Sequence, residues 1–353
     1  MNYIGSKLTL LPFLEKVVRE VAPEVINCEE KTFCDLFAGT GAVGRHFKKL
    51  GFQIIANDLQ YYAYVLNKAY LEINETPDFI ALRQKYAEEI SNYRSLTNDP
   101  TQEVLSFING LRGNAGFITN NFSPVGGRMY YTEENATKAD TIRQALEQWK
   151  TTNIISEPEY YFLLSALLEA IDQVANTASV YGAYLKKFKS TALKSLQLKP
   201  PAITNHVKDC RAFHRDANEL IKEIECDILY LDPPYNHRQY GANYHVLETI
   251  AAYDNPKLKG ITGMREYTKS NYCRQDAAKN AMKELISQAR AKHILISYND
   301  EGVMSLEDLR EILSLRGEPK LFQTNYNRFK ADNGRAYKRA ATVEYVHYVN
   351  CST

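Results

Sequence analysis

Metal-ligand spacing is missing from this 353-residue chain. Its six cysteines, Cys28, Cys34, Cys210, Cys226, Cys273 and Cys351, form no CxxC pair and have no histidine at ligand spacing, so no metal and no disulfide framework is expected. Free thiols in a reducing cytoplasm are expected instead. Excess charge of one sign is lacking too. The 43 Lys and Arg against 42 Asp and Glu leave a formal +1, so an anionic partner must be met by local patches. Long apolar runs are scarce: the longest, around 160–171, contains Glu169 and is too short to span a bilayer. No charged segment followed by a long apolar one opens the chain, so a cytoplasmic protein without membrane contact is expected. Tryptophan occurs once against 25 tyrosines, which suit stacking and groove surfaces as well as core edges. The length allows one large α/β domain or two smaller ones.

What is present is organised around Asp227-Ile228-Leu229-Tyr230-Leu231-Asp232-Pro233-Pro234-Tyr235. The short apolar run predicts a strand buried on both faces of a parallel sheet. Pro233 and Pro234 lack an N–H and end the pairing, stiffening the backbone beyond the strand's carboxyl end. Open α/β sheets bind ligands at that edge. Asp232 and the Pro233 carbonyl can accept hydrogen bonds from an exocyclic amine while Tyr235 stacks on its ring. A bare four-residue match is more often an incidental loop, so the rest of the chain has to decide.

Earlier in the chain, 31–44 reads as a strand, a glycine-rich turn at Gly39 and Gly41, and a helix beginning near Ala42, with Gly44 completing a G-x-G-x-x-G pattern. The second strand, 52–56, ends at Asn57-Asp58, where a carboxylate can take both hydroxyls of a ribose. This spacing also fits a nicotinamide dinucleotide. Asp35, just before the turn, would repel a pyrophosphate and attract the ammonium and sulfonium of S-adenosylmethionine (AdoMet). Asp216, after a strand over 210–215, falls where a loop at the sheet edge can hold an adenine amine, and His214 reads as structural.

Between 61 and 205 helical patterns dominate, over 61–71, 78–93, 101–108, 133–149 and 159–175. Such a block predicts an inserted domain, 61–205, between catalytic segments 1–60 and 206–353. Two of its segments suggest a nucleic-acid surface. One is a polar, aromatic and flexible loop over 120–131 that includes Arg128. The other, 181–201, carries Lys186, Lys187, Lys189, Lys194 and Lys199 without an acid. A solvated basic helix face is the plainer reading of a lysine run. Past the central stretch, 236–248 is polar and aromatic and can close over a substrate. A basic segment, 327–339, lies between strands expected at 320–326 and 342–350 and suits a phosphate clamp.

Taken in order, Asn2-Tyr3-Ile4-Gly5-Ser6-Lys7, Asp35-Leu36-Phe37-Ala38-Gly39-Thr40-Gly41, Asn57-Asp58, Asp232-Pro233-Pro234-Tyr235, Arg238-Gln239-Tyr240 and Asn243-Tyr244-His245 carry a family likeness. The chain resembles Dam-type adenine-specific DNA methyltransferases that place the AdoMet motif first, the FokI-type modification methylases in particular. The resemblance implies a Rossmann-like α/β methyltransferase sheet with a mainly helical target-recognition insertion. It implies AdoMet as cofactor, with contacts at Tyr3, Lys7, Asp35, Phe37, Ala38, Gly39, Thr40, Gly41, Asn57, Asp58, Asp216 and Asp232. It also implies a flipped adenine held at Asp232, Pro233, Pro234 and Tyr235. Double-stranded DNA is the expected partner, contacted at Arg128, Lys186, Lys187, Lys189, Arg238, Tyr240, Asn243, Tyr244, Arg335, Lys338 and Arg339. With a single catalytic motif, an asymmetric site would need a second methyltransferase, and a cognate restriction endonuclease would accompany the pair. An RNA adenine or DNA cytosine amino-methyltransferase would share this chemistry. A nicotinamide-dependent oxidoreductase and a non-catalytic DNA-binding protein are the alternatives of other classes.

Overall fold

The computed structural model describes residues 7–93, 99–299, 302–327 and 341–351. These fall into two compact units. One consists of Lys68–Asn205 with Ala242–Tyr267, and the other of 7–67, 206–241 and 268–351.

The second unit is built on a seven-stranded sheet. Its strands are β1 (Thr32–Asp35), β2 (Gln53–Asn57), β3 (Arg211–Phe213), β4 (Glu225–Leu231), β5 (Arg290–Asn299), β6 (Lys320–Asn327) and β7 (Ala341–Asn350), in the order β3-β2-β1-β4-β5-β7-β6. β1 to β5 are parallel, whereas β7 runs antiparallel to β5 and β6. The central strands are continuous apolar runs because helices cover both sides. One face packs Cys34, Leu229, Leu231, Ile294 and Ile296 against Leu285, Ile286, Leu309 and Ile312 of the helices Ala278–Gln288 and Leu306–Leu313. On the other, Phe33 stacks on Phe47 of the helix Ala42–Lys49 with ring centroids 4.0 Å apart.

The other unit is helical, with no strand among its described residues. Its centre is the helix Glu157–Gln173, started by a Ser156–Glu159 capping box and buried almost all round. The segment 242–267, expected to belong with the catalytic part, instead packs with these helices. Arg143 explains this. It is fully buried in the helix Glu133–Thr151 and donates to the Ile250 and Ala251 carbonyls, which end the helix His245–Ala252. The helix Tyr61–Asn67, by contrast, belongs to the sheet unit. The 120–131 segment is ordered: the helix Phe117–Phe122 leads into a turn, and Tyr130 and Tyr131 are buried. No described helix is long and apolar enough to cross a membrane.

Candidate active site

The strand order reverses between β1 and β4, so the chain leaves these neighbouring strands on opposite sides and opens a crevice at their carboxyl ends. Asp35 ends β1 opposite Tyr230 of β4, and the Leu36 N–H donates to the Tyr230 carbonyl at 3.2 Å. Asp232 comes immediately beyond β4. Two acids far apart in sequence thus meet at one edge.

Around Asp35 the glycine turn is closed by hydrogen bonds. The Ala38 N–H donates to Asn57 O at 2.8 Å and the Gly39 N–H to Asp58 Oδ2 at 2.8 Å. Gly39 and Gly41 sit at φ 52° and 76°, where a side chain is strained. A Cβ on Gly41 would lie 2.6 Å from Asn67 Oδ1, and Asn67 Nδ2 donates to Gly39 O at 3.0 Å. Asp58 Oδ1 also accepts from the Gln60 N–H at 2.8 Å, which fixes the carboxylate.

Three residues expected to contact the cofactor are engaged in building the site. The Asn57 amide donates to Leu36 O at 3.2 Å and Arg215 O at 3.1 Å, and accepts from the Arg215 N–H, tying β1 to the end of β3. Phe37 packs edge-on against Tyr272, centroids 5.0 Å apart. Asp216 is exposed at the same sheet edge, where Oδ1 caps the short helix Ala217–Leu220 through the Asn218 and Glu219 N–H groups. Ala38 is buried in the turn and Thr40 half-buried.

Asp35 itself is 1% exposed, and neither carboxylate oxygen makes a hydrogen bond among the described residues. Burial pushes its pKa well up, the charges of Asp232 and Asp58 add to this, and the nearby Gly44 N–H opposes it without reaching good hydrogen-bond geometry. An unpartnered buried carboxylate is costly, so its oxygens suit a cationic ligand group. Lys7, also buried, places its ammonium 3.2 Å from Asp232 Oδ1 and 3.5 Å from Glu344 Oε2. Burial pulls the Lys7 pKa down, but Asp232, Glu344 and Tyr235 more than offset this, and it ends well up. For Asp232 burial wins over Lys7, so its pKa is raised.

Beyond Asp232, the Tyr235 ring meets Tyr298 edge-on at 6.0 Å, and its carbonyl accepts from the Val303 N–H at 2.8 Å. The turn is thereby held from its far end. The Pro233 carbonyl and Asp232 Oδ2 have no hydrogen-bond partner among the described residues. Two acceptors therefore remain beside the Tyr235 ring, next to a glycine turn with an acid unpartnered among the described residues. No group of His, Cys, Asp and Glu among the described residues is arranged to hold a metal.

A family model of D12 class N6 adenine-specific DNA methyltransferases matches residues 3–312. The chain belongs to this family. Among its relatives, it is 46% identical to the type II methyltransferase M.NlaIII of Neisseria lactamica, over 98% of each chain. It is 39% identical to the type II methyltransferase M.FokI of Planomicrobium okeanokoites and 38% to the modification methylase StsI of Streptococcus sanguinis. These alignments cover 99% and 94% of this chain but 52% and 49% of the relatives, so it spans about half the length of each. D12-class membership establishes transfer of a methyl group to N6 of adenine in DNA, and implies AdoMet as its source. The glycine turn and the unpartnered Asp35 fit that cofactor.

The residues expected to face DNA in this D12-class enzyme divide. Lys186, Lys187 and Arg238 are exposed, and Tyr240 and Asn243 are half-buried. Tyr244 is fully buried with its ring near Tyr181, a core position. Arg128 donates to the Ile261, Asn121 and Gly260 carbonyls, which makes it a clamp on the 260–261 loop. Lys189 donates from Nζ to Thr177 O at 2.8 Å. Tyr3, Arg335, Lys338 and Arg339 lie outside the described residues. His214 is exposed, with its Nε2 3.1 Å from Leu59 O. Sequence reasoning missed Glu344. The available signal was an acid alternating with Val346 and Tyr348 on the inward face of a strand.

Proposed function

We propose that this D12-class enzyme is the modification methyltransferase of a type II restriction–modification system, and that Asp232 to Tyr235 hold the flipped target adenine. The observation that carries the site assignment is a pair of acceptors with no hydrogen-bond partner among the described residues, Asp232 Oδ2 and Pro233 O, at the sheet's switch point. The target must leave the duplex, at a cost of a few kcal/mol, because a stacked and paired amine cannot reach a methyl donor. Stacking on Tyr235 and the two acceptors offset that cost. Accepting both amine hydrogens draws the N6 lone pair out of conjugation and aims it away from the ring plane.

Asp35, Gly39, Gly41, Asp58 and Asp216 would hold AdoMet, with Asp35 facing its cationic part. When bound, AdoMet supplies an electrophilic methyl group on a sulfonium sulfur. That group would pass to the N6 lone pair oriented by Asp232 and the Pro233 carbonyl, with the sulfur keeping the bonding pair and the N6 proton lost to solvent. Positioning and electrostatics supply the catalysis. The helical unit, with Lys186 and Lys187, would read the duplex. A cognate endonuclease, and for an asymmetric site a second methyltransferase, would be its partners. The names of M.NlaIII, M.FokI and StsI as modification enzymes support this role.

The test is incubation with labelled AdoMet and a long mixed-sequence duplex, followed by nucleoside analysis, with Asp232→Ala alongside. N6-methyladenine from the wild type and none from the variant is expected. Label in cytosine, or in RNA but not duplex DNA, would overturn the reading.

A further inference from the structure

We propose that Glu344 is a positioning residue for methyl transfer: it anchors Lys7 so that the ammonium holds one oxygen of Asp232 and leaves the other open to the adenine amine. The proposal rests on Asp232 being that acceptor. Because β7 runs antiparallel, a residue near its start arrives at the edge where the parallel strands end, and Glu344 pairs with Asn299, the last residue of β5. The Lys7 ammonium lies 3.2 Å from Asp232 Oδ1 and 3.5 Å from Glu344 Oε2, and the side chains of Lys7, Asp232 and Glu344 are 4%, 16% and 6% exposed.

A lysine with Asp232 as its sole counter-ion would settle between the two carboxylate oxygens, where attraction to both is greatest. It would then occupy the lone pairs the amine needs. The pull of a second carboxylate, Glu344 Oε2 at 3.5 Å, holds it back on Oδ1. Among the described residues, the other titratable groups around Asp232 and Lys7 are Asp35, Tyr230 and Tyr235, and none of these is a cation that could replace Lys7. Glu344 therefore acts through Lys7 and need not touch the base.

A double-mutant cycle on the full chain tests this, since a residue acting only through Lys7 loses its effect once Lys7 is gone. The steady-state methylation of a long mixed-sequence duplex is compared for the wild type, Glu344→Gln, Lys7→Gln, the double variant and Asp232→Ala. Glu344→Gln should lower kcat about tenfold with the KM for AdoMet within about twofold, and should cost less than about twofold when Lys7 is already Gln. An unchanged kcat, or the same loss in both backgrounds, overturns the proposal. Should Glu344→Gln not fold, Glu344→Asp keeps the charge but stops short of Lys7, and a wild-type rate there overturns it equally. Activity remaining in Asp232→Ala would instead overturn the acceptor reading. Loss in Asp232→Ala with none in Glu344→Gln sinks the Glu344 proposal alone.

Discussion

Replacing Lys7 by Met keeps an unbranched side chain of similar length and removes the only charge on it. Asp232 and Glu344, 16% and 6% exposed, then lose the ammonium at 3.2 and 3.5 Å, with the unpartnered Asp35 close enough to repel Asp232. Breaking a buried ion pair by deleting one partner costs about 3–5 kcal/mol, and these side chains are buried enough for that figure to apply. The loss depends on pH. Asp232 and Asp35 already titrate above the ordinary carboxylate range in the folded protein, and without Lys7 Asp232 rises further. The folded variant thus binds more protons than its unfolded chain, and its stability falls as pH rises above about 4. The wild-type Lys7 keeps its charge throughout this window, because its own pKa is raised. Urea unfolding by far-UV circular dichroism should show a deficit of about 3–5 kcal/mol near pH 8 that shrinks towards pH 5. Fluorescence of Trp149, which lies in the helical unit, reports that unit separately. A deficit under about 1 kcal/mol, or one equal at both pH values, would refute the account of Lys7 as the counter-ion of two buried acids.

Other substitutions read the remaining parts of the site. Asp35→Asn removes a buried carboxylate that no described group satisfies, so it should stabilise the apo protein by about 1–3 kcal/mol above pH 6 while weakening AdoMet binding. Thermal melting and calorimetric titration check both signs, and a destabilised variant with intact affinity would contradict the assignment. Gly41→Ala puts a Cβ 2.6 Å from Asn67 Oδ1 at φ 76°, which should push Asn67 off the Gly39 carbonyl and open the turn. AdoMet affinity should fall at least about tenfold, in line with the roughly 1–2 kcal/mol of left-handed strain, and an unchanged Kd would refute it. Lys186→Ala with Lys187→Ala should lower the salt dependence of duplex binding by about one unit of log–log slope for each phosphate no longer neutralised. An unchanged slope would move the DNA surface elsewhere.

The sheet was legible where backbone chemistry is local. Apolar runs ending at Asp35, Asn57 and Asp232 marked three strands at the site, and the paired glycines and paired prolines fixed the turns that two of them lead into. The helical unit was legible as helices but less so in outline. The segment 120–131 reads as a flexible loop because Asn, Ser and Gly dominate it. Asp140, in the helix Glu133–Thr151, accepts from the Gly116, Ile118 and Thr119 N–H groups and starts the helix Phe117–Phe122 from a distance. Such a distant cap leaves no trace in a window of neighbouring residues. The return of 242–267 to the helical unit rests similarly on Arg143.

The least legible feature is the one closest to the chemistry. Lys7 and Glu344 come from opposite ends of the chain, and only the register of β7 brings them together. Yet a physical signal was present. In β7, Glu344, Val346 and Tyr348 point to the same face, and β7 is an interior strand, paired to β5 and β6 on its two sides. An acid on the covered face of an interior strand demands a counter-ion or a proton. Strand order then limits the choice. The antiparallel direction puts Glu344 at the edge holding Asp35 and Asp232, two further acids that cannot serve as its counter-ion. Among the described residues Lys7, which precedes the helix Leu11–Val21, is a cation that reaches it, at 3.5 Å. Two acids sharing one lysine, with Asp35 beside Asp232 and unpartnered among the described residues, are an unfavourable arrangement for a resting protein. They are a suitable one for a site that admits a cationic methyl donor and must keep one carboxylate oxygen open to its acceptor.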